Sequence, residues 1–465
     1  MDSSVGPSGE APLVSPDDGA ALDRDIWSMA WPAMLSFVVV NVVDVVDVAL
    51  VGRLGRHTVA AWGYSTQCVH LVETLLQSVG IGCVALAARA LGAREPRRAR
   101  GVVLASVLVA EGVAALGLAL AILVPRQILR LLDAEPDVVE IAVPFFRLFA
   151  GAMLLYAAAF MYESALRARR NTRGPMVIAA VVMAVKTALS VLLVFGLFGL
   201  PRLELVGAGI ATCAAHAVGL LLYVMLARRE SADEDVSSAA SAVLSSANEV
   251  FRVSLPSMGE RLIMSLALLT YFKILSAYGS AAIAAYAIGV RLLSFSWAPG
   301  LGFAAAASTF VGQALGASDS ERAKRAGARS VAQAVIFMCG LGTLFLFLRG
   351  PLARGFTADA HVAENLVPFM TMLAIAQPFM GAHFTLGGVL RGAGDTMTPL
   401  VGAAVGNWAF RVPLAWAFTR FMGHDLVWVW AALIGDHFAR MVVCGIVFLR
   451  GRWAARTGAT LFEGS

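Results

Sequence analysis

Mostly apolar runs of about 20 residues or more recur along the whole chain, broken by short stretches rich in arginine, glycine and proline. A helix needs about 20 apolar residues to cross the hydrocarbon of a bilayer, so each run is long enough for one crossing. Twelve membrane helices are predicted, near 26–51, 60–88, 102–124, 138–165, 175–199 and 205–227, then 251–277, 283–312, 329–348, 362–390, 398–421 and 426–449. Runs such as 102–124 lack the period-two alternation over roughly ten residues that a membrane β-barrel strand requires, which excludes that fold.

The pattern repeats. Moved 224 positions along itself, the chain sets Pro32 on Pro256, Gly55 on Gly279, Leu91-Gly92-Ala93 on Leu315-Gly316-Ala317, and Thr172 and Pro175 on Thr396 and Pro399. The register runs without a gap from Pro32/Pro256 to Ile210/Ile434, so the two copies share one helix count and one set of loop lengths. Duplicated membrane units with a site at their seam are a transporter design.

Composition agrees with an all-α membrane protein. Hydrophobic residues make up 59% of the 465, charged ones only 14%, and the mean hydropathy is +0.76, too little polar surface for a water-soluble core of this size. Arginine and lysine gather after the second, fourth and eighth helices: Arg94, Arg97, Arg98 and Arg100, then Arg167, Arg169, Arg170 and Arg173, then Arg322, Lys324, Arg325 and Arg329. The positive-inside rule therefore puts both termini in the cytoplasm of a cell whose inner (plasma) membrane holds the chain. Six helices per copy give both copies the same orientation, about a pseudo-twofold axis along the membrane normal. The net charge of +5 reflects this topology and calls for no nucleic-acid partner.

Residues 1–25, rich in Asp, Ser, Pro and Gly, read as a disordered cytoplasmic tail, and 229–249 as a flexible linker between a lobe at 26–228 and a lobe at 250–450, with 451–465 a second tail. Cys68, Cys83, Cys213, Cys339 and Cys444 fall inside predicted helices without metal spacing and read as packing residues.

Several landmarks together resemble one family. Pro32 opens the first helix, Asp47 lies five residues ahead of Gly52, and Ala88-Arg89-Ala90-Leu91-Gly92-Ala93 closes the second. Pro256 with Glu260, Val311-Gly312-Gln313-Ala314-Leu315-Gly316-Ala317 and Leu390-Arg391-Gly392-Ala393-Gly394-Asp395-Thr396 with Pro399 extend the likeness over about 26–450. The chain resembles the multidrug and toxic compound extrusion (MATE) transporters, most of all their DinF-like bacterial branch. The resemblance implies two six-helix bundles in a V around a central cavity. It also implies export of amphipathic, often cationic small molecules in exchange for protons or sodium ions, with no other cofactor. A monomer in the lipid bilayer is expected.

Ionisable side chains at bilayer depth cost about 2.5–3.5 kcal/mol each on insertion scales, so those present are candidates for the coupling chemistry. Asn41, Asp44 and Asp47 recur every third position, which lays them on one stripe of the first helix. Two carboxylates on one face disfavour joint ionisation, which suits a group that trades protons. The resemblance makes Asp47 the coupling residue of the N-terminal lobe. In the fifth helix the family pattern of an asparagine and, four residues on, an aspartate is replaced by Lys186 and Ser190. Lys186, one of three lysines in the chain, lies about eleven residues into its helix, too deep to snorkel, and is expected to pair with Asp44 or Asp47. An ammonium in place of an oxygen ligand makes a poor sodium site and favours protons.

Glu260 is a further candidate for ion coupling, with Arg291 and Arg411 as expected partners. Glu73, with His70 one turn earlier, is expected at the cavity with Tyr64, Met161 and Trp297. Trp408, Trp428 and Trp430 read as interfacial belts. A lipid-linked oligosaccharide or polysaccharide flippase would share the fold but is expected to need a more cationic cavity than Asp44, Asp47, Glu73 and Glu260 provide. An enzyme is disfavoured, because no paired His/Asp metal cluster, nucleophile elbow or phosphate loop is present.

Overall fold

Backbone N–H and C=O groups cannot find water inside hydrocarbon, so apolar runs of this length satisfy them within helices. The computed structural model describes residues 19–230, 239–357, 359–421 and 426–455. The N-terminal lobe holds α1 (Gly19–Val51), α2 (Arg56–Gly92), α3 (Pro96–Leu123), α4 (Pro136–Ala168), α5 (Arg173–Phe195) and α6 (Glu204–Glu230). The C-terminal lobe holds α7 (Ala239–Leu275), α8 (Ser280–Gly316), α9 (Ser320–Phe356), α10 (Ala360–Gly392), α11 and α12 (Leu426–Arg450). Here α11 joins Met397–Ala404 and Val412–Phe421 through a π-helical turn, Val405–Arg411. Eleven helices are single apolar rods long enough to span a bilayer, and the interrupted α11 makes the twelfth crossing.

The helices outrun the predicted spans where polar turns continue them. α9 starts at Ser320 rather than 329 because Asp319 caps it, accepting from the Arg322 backbone N–H at 2.8 Å. A hydropathy pattern is blind to such helical turns in water. For the same reason the expected tail is shorter: Gly19–Asp25 is already helical, with Asp23 paired to Arg329 at 2.5 Å, and 1–18 lie outside the described residues. The expected linker 229–249 contracts too, since α6 runs to Glu230 and α7 begins at Ala239, with 231–238 outside the described residues.

The first helix of each lobe begins in the other lobe. Ile26, Met29 and Met34 of α1 pack with Phe303, Ala306 and Phe310 of α8, whereas Val250, Val253 and Met258 of α7 join the core of α2 and α3. These two triplets are related by the same 224-residue offset. The relation becomes closest where α2 and α8 end: a Cβ on Gly92 would strike the Gln313 carbonyl, and one on Gly316 would strike the Arg89 carbonyl. Gly92 maps to Gly316 and Arg89 to Gln313, so the contact is self-complementary about the pseudo-twofold axis.

Hydrogen bonds between the lobes gather at this arginine-rich end. Arg170 Nε donates to Gln313 Oε1 at 2.5 Å, Gln313 Nε2 to the Ala168 carbonyl at 2.7 Å, and Thr309 Oγ1 to the Arg167 carbonyl at 3.2 Å. The lobes are therefore closed there, and a cavity lies between them deeper in the bundle.

Candidate functional site

The central cavity, of about 250 Å³, draws on both lobes. Its lining is mostly apolar, with Phe37, Ile81, Val84, Phe160, Val182, Met183 and Leu301, and its charges are Glu73, Glu163, Arg167, Arg261 and Arg391. Arg167 and Arg391 are again 224 apart, one from each repeat. Arg167 is ion-paired to Glu163 one turn back on α4, and Arg391 of α10 is held by Glu260 of α7 at 2.6 and 2.8 Å. The partner of Glu260 is thus Arg391, and neither Arg291 nor Arg411: α8 carries Arg291 to the edge of the N-lobe pocket, and Arg411 serves a separate cluster. Nor is the cavity acidic as expected, because two carboxylates there face three guanidinium groups. The sequence order lists acids without revealing that α7 and α10 aim arginines at the same space.

A second cavity, of about 230 Å³, lies within the N-terminal lobe. Asp44 and Asp47 of α1, His70 and Glu73 of α2, and Lys186 and Ser190 of α5 line it, with Arg291 reaching in from α8. Lys186 Nζ stands 2.5 Å from Asp47 Oδ2, and both side chains are mostly buried. Asp44 is exposed to the cavity and within electrostatic reach of Lys186, Glu73 and Arg291. Glu73 is held by His70 at 3.4 Å and by Gln77 at 3.3 Å, and it lines both cavities. Asn41 donates its amide to the Phe37 carbonyl at 2.8 Å, a bond within its own helix.

At the equivalent place in the C-terminal lobe stands a packed ionic cluster. Tyr271 stands where the repeat has Asp47, and Phe410 where it has Lys186. Charge returns on neighbouring positions: Asp436, 0% exposed, accepts from Arg440 at 2.6 and 3.2 Å and has Arg411 at 3.6 Å. Arg411 also donates to the Tyr286 hydroxyl at 2.9 Å and lies 4.6 Å from the Tyr271 ring centre. Beside it the buried imidazoles of His383 and His437 meet at 3.0 Å. The π-turn of α11 belongs here, because Gly406 within it brings its backbone so close to Asp436 that a Cβ would collide with Oδ1.

Of the four residues expected at the substrate cavity, only Glu73 reaches it. Met161 is 0% exposed in the N-lobe core, and Tyr64 and Trp297 line neither cavity, packing instead against the cores of their own lobes. Trp430, expected at a membrane interface, is buried, stacked on Tyr286 with ring centres 5.7 Å apart. Sequence reasoning missed Asp436, Arg440, His383 and His437; the signal available was the i, i+4 spacing of Asp436 and Arg440 within one apolar run.

The MatE family model matches the chain twice, at residues 32–192 and 256–417, the same two copies 224 apart. The chain belongs to the MATE family. It is 25% identical over 439 residues, covering 94% of both chains, to a probable multidrug resistance protein NorM of Thermotoga maritima. It is 28% identical to one of Bradyrhizobium diazoefficiens, with 92% of both chains covered. Among solved structures, a mutant of the Vibrio cholerae MATE transporter VcmN superposes with a TM-score of 0.88 at 21% identity, covering 94% of this chain and 99% of that one. As in other MATE transporters, the fold is an all-α, two-lobed V, and the chain is a membrane transporter rather than an enzyme.

Proposed function

We propose that this MATE protein is a secondary active exporter that trades inward-moving protons for amphipathic small molecules, with Asp47 and Lys186 as the exchange centre. The N-lobe pocket carries this reading. An ammonium 2.5 Å from Asp47 already occupies the carboxylate that a sodium ion would need, whereas a proton neutralises it without any ligand cage. Protonation of Asp47 removes the attraction that holds Lys186, which is then free to turn to Asp44 in the same pocket. Ammonium and carboxylates thereby bind the coupling proton and set the packing of α1 against α5, the two helices the pair joins.

The multidrug relatives support bulky amphipathic compounds as cargo. With the arginine-rich loops inside the cell, both termini are cytoplasmic in the inner membrane, and closure at Gly92 and Gly316 seals the cytoplasmic side. The chain works as a monomer, as the lobes of one chain complete the cavity. Eight helices, α1, α2, α4, α5, α6, α7, α8 and α10, contribute to a single mostly apolar space, which suits the body of an amphiphile. Ethidium efflux from an efflux-deficient bacterium tests the proposal. Wild type is expected to expel the dye, to stop when the proton gradient is collapsed and to persist when the sodium gradient is, while Asp47→Asn is inactive. Efflux by Asp47→Asn equal to wild type would refute the assignment.

A further inference from the structure

We infer that the central cavity selects amphiphiles bearing an acidic group, a carboxylate or its chemical equivalent, and that Arg261 is the side chain that receives it. The inference rests on the exporter reading and extends it to substrate class. Three guanidinium groups line the cavity, and two are already neutralised, Arg167 by Glu163 and Arg391 by Glu260. The guanidinium of Arg261 has no hydrogen bond or ion pair among the described residues, although it lies within electrostatic reach of Glu260, Arg391 and Glu73. Glu260 is engaged by Arg391, and Glu73 by His70 and Gln77, so neither neutralises it by contact.

Position excludes the innocent explanation. Arg261 lies 22 residues after the start of α7 at Ala239 and 14 before its end at Leu275, mid-helix, where the side chain has no aqueous surface to reach except the cavity. An arginine without a counter-charge at such depth is retained at a cost of about 2.5–3.5 kcal/mol. The repeat sharpens the point: Arg261 corresponds to Phe37, which also lines the cavity. One wall therefore offers an aromatic face and the other a free guanidinium fork, whose paired N–H groups match the two oxygens of a carboxylate. The apolar remainder takes the body of the ligand, and Glu73 opposite admits a cationic group on the same molecule.

A rival role is an interlobe latch, in which Arg261 pairs with Glu73 when the lobes close. The two roles separate on a matched pair of substrates, a rhodamine dye as its free acid and as the methyl ester, in proteoliposomes under an imposed pH gradient. Wild type is expected to carry both. In Arg261→Gln the acid-to-ester transport ratio falls on the order of tenfold, as for loss of one charge-assisted hydrogen bond, and Arg261→Lys restores most of it. A parallel fall for both dyes, or an unmoved ratio, overturns the inference, as does a wild type that carries the ester and rejects the acid. Were the glutamine variant not to fold, competition decides: the free acid must inhibit ester transport by wild type more strongly than by Arg261→Met, and equal inhibition overturns the inference. A wild type that carries neither dye would instead defeat the exporter reading itself.

Discussion

Lys186 and Asp436 mark the two kinds of charge this molecule keeps at depth. Lys186 was legible in the sequence, because a lysine eleven residues into an apolar run has few means of reaching water and Asp44 and Asp47 lie on the neighbouring first helix. The Asp436 cluster was legible only in part: Arg440 follows one turn on along the same helix, but Arg411 reaches Asp436 from α11, whose approach no linear pattern reports. Their chemistry differs accordingly. The Asp47–Lys186 pair borders an open pocket, so Lys186→Ala is expected to displace the pH dependence of transport, measured in proteoliposomes, with little loss of protein; an unmoved profile would remove the pair from the mechanism. Asp436 is sealed among two arginines, so Asp436→Ala leaves buried guanidinium groups uncompensated and should destabilise by about 3–5 kcal/mol, read as a lowered thermal midpoint in detergent. A midpoint equal to wild type would mean the cluster is solvated.

Among the elements, the straight spans were readable and the irregular ones were not. Twelve crossings followed from apolar run length alone, but the π-turn of α11 follows from a tertiary demand, the approach of the Gly406 backbone to Asp436. Gly406→Ala sets a methyl against Oδ1 and the Arg440 side chain and is expected to cost about 1–3 kcal/mol, measured by the same thermal assay. The crossing of α2 and α8 offers a second check. Gly92→Ala and Gly316→Ala each force a Cβ into a facing carbonyl, so both should spread the closed end, seen as a longer distance between spin labels placed at Arg94 and Ser318. Because the contact is pseudo-symmetric, the two variants are expected to act alike, and a change in only one would break the symmetry argued from the repeat.

At the scale of the whole molecule, one scaffold is used twice with different chemistry. The 224-residue offset fixes both the close approach of Gly92 and Gly316 and the paired arginines Arg167 and Arg391, yet it sets Asp47 against Tyr271 and Lys186 against Phe410. The N-terminal lobe thus presents an accessible pocket lined by ionisable side chains, while the matching region of the C-terminal lobe is braced by a packed ionic cluster. Coupling in this account sits in the N-terminal lobe and is transmitted through α1, whose first half packs on the other lobe. The most direct test is proton movement itself, followed by a pH-sensitive dye trapped in sodium-free proteoliposomes when a transported amphiphile is added outside. Wild type should show substrate-dependent proton flux without sodium, and Asp47→Asn none. Substrate-dependent flux in Asp47→Asn equal to wild type, or flux in wild type that appears only when sodium is supplied, would contradict the account.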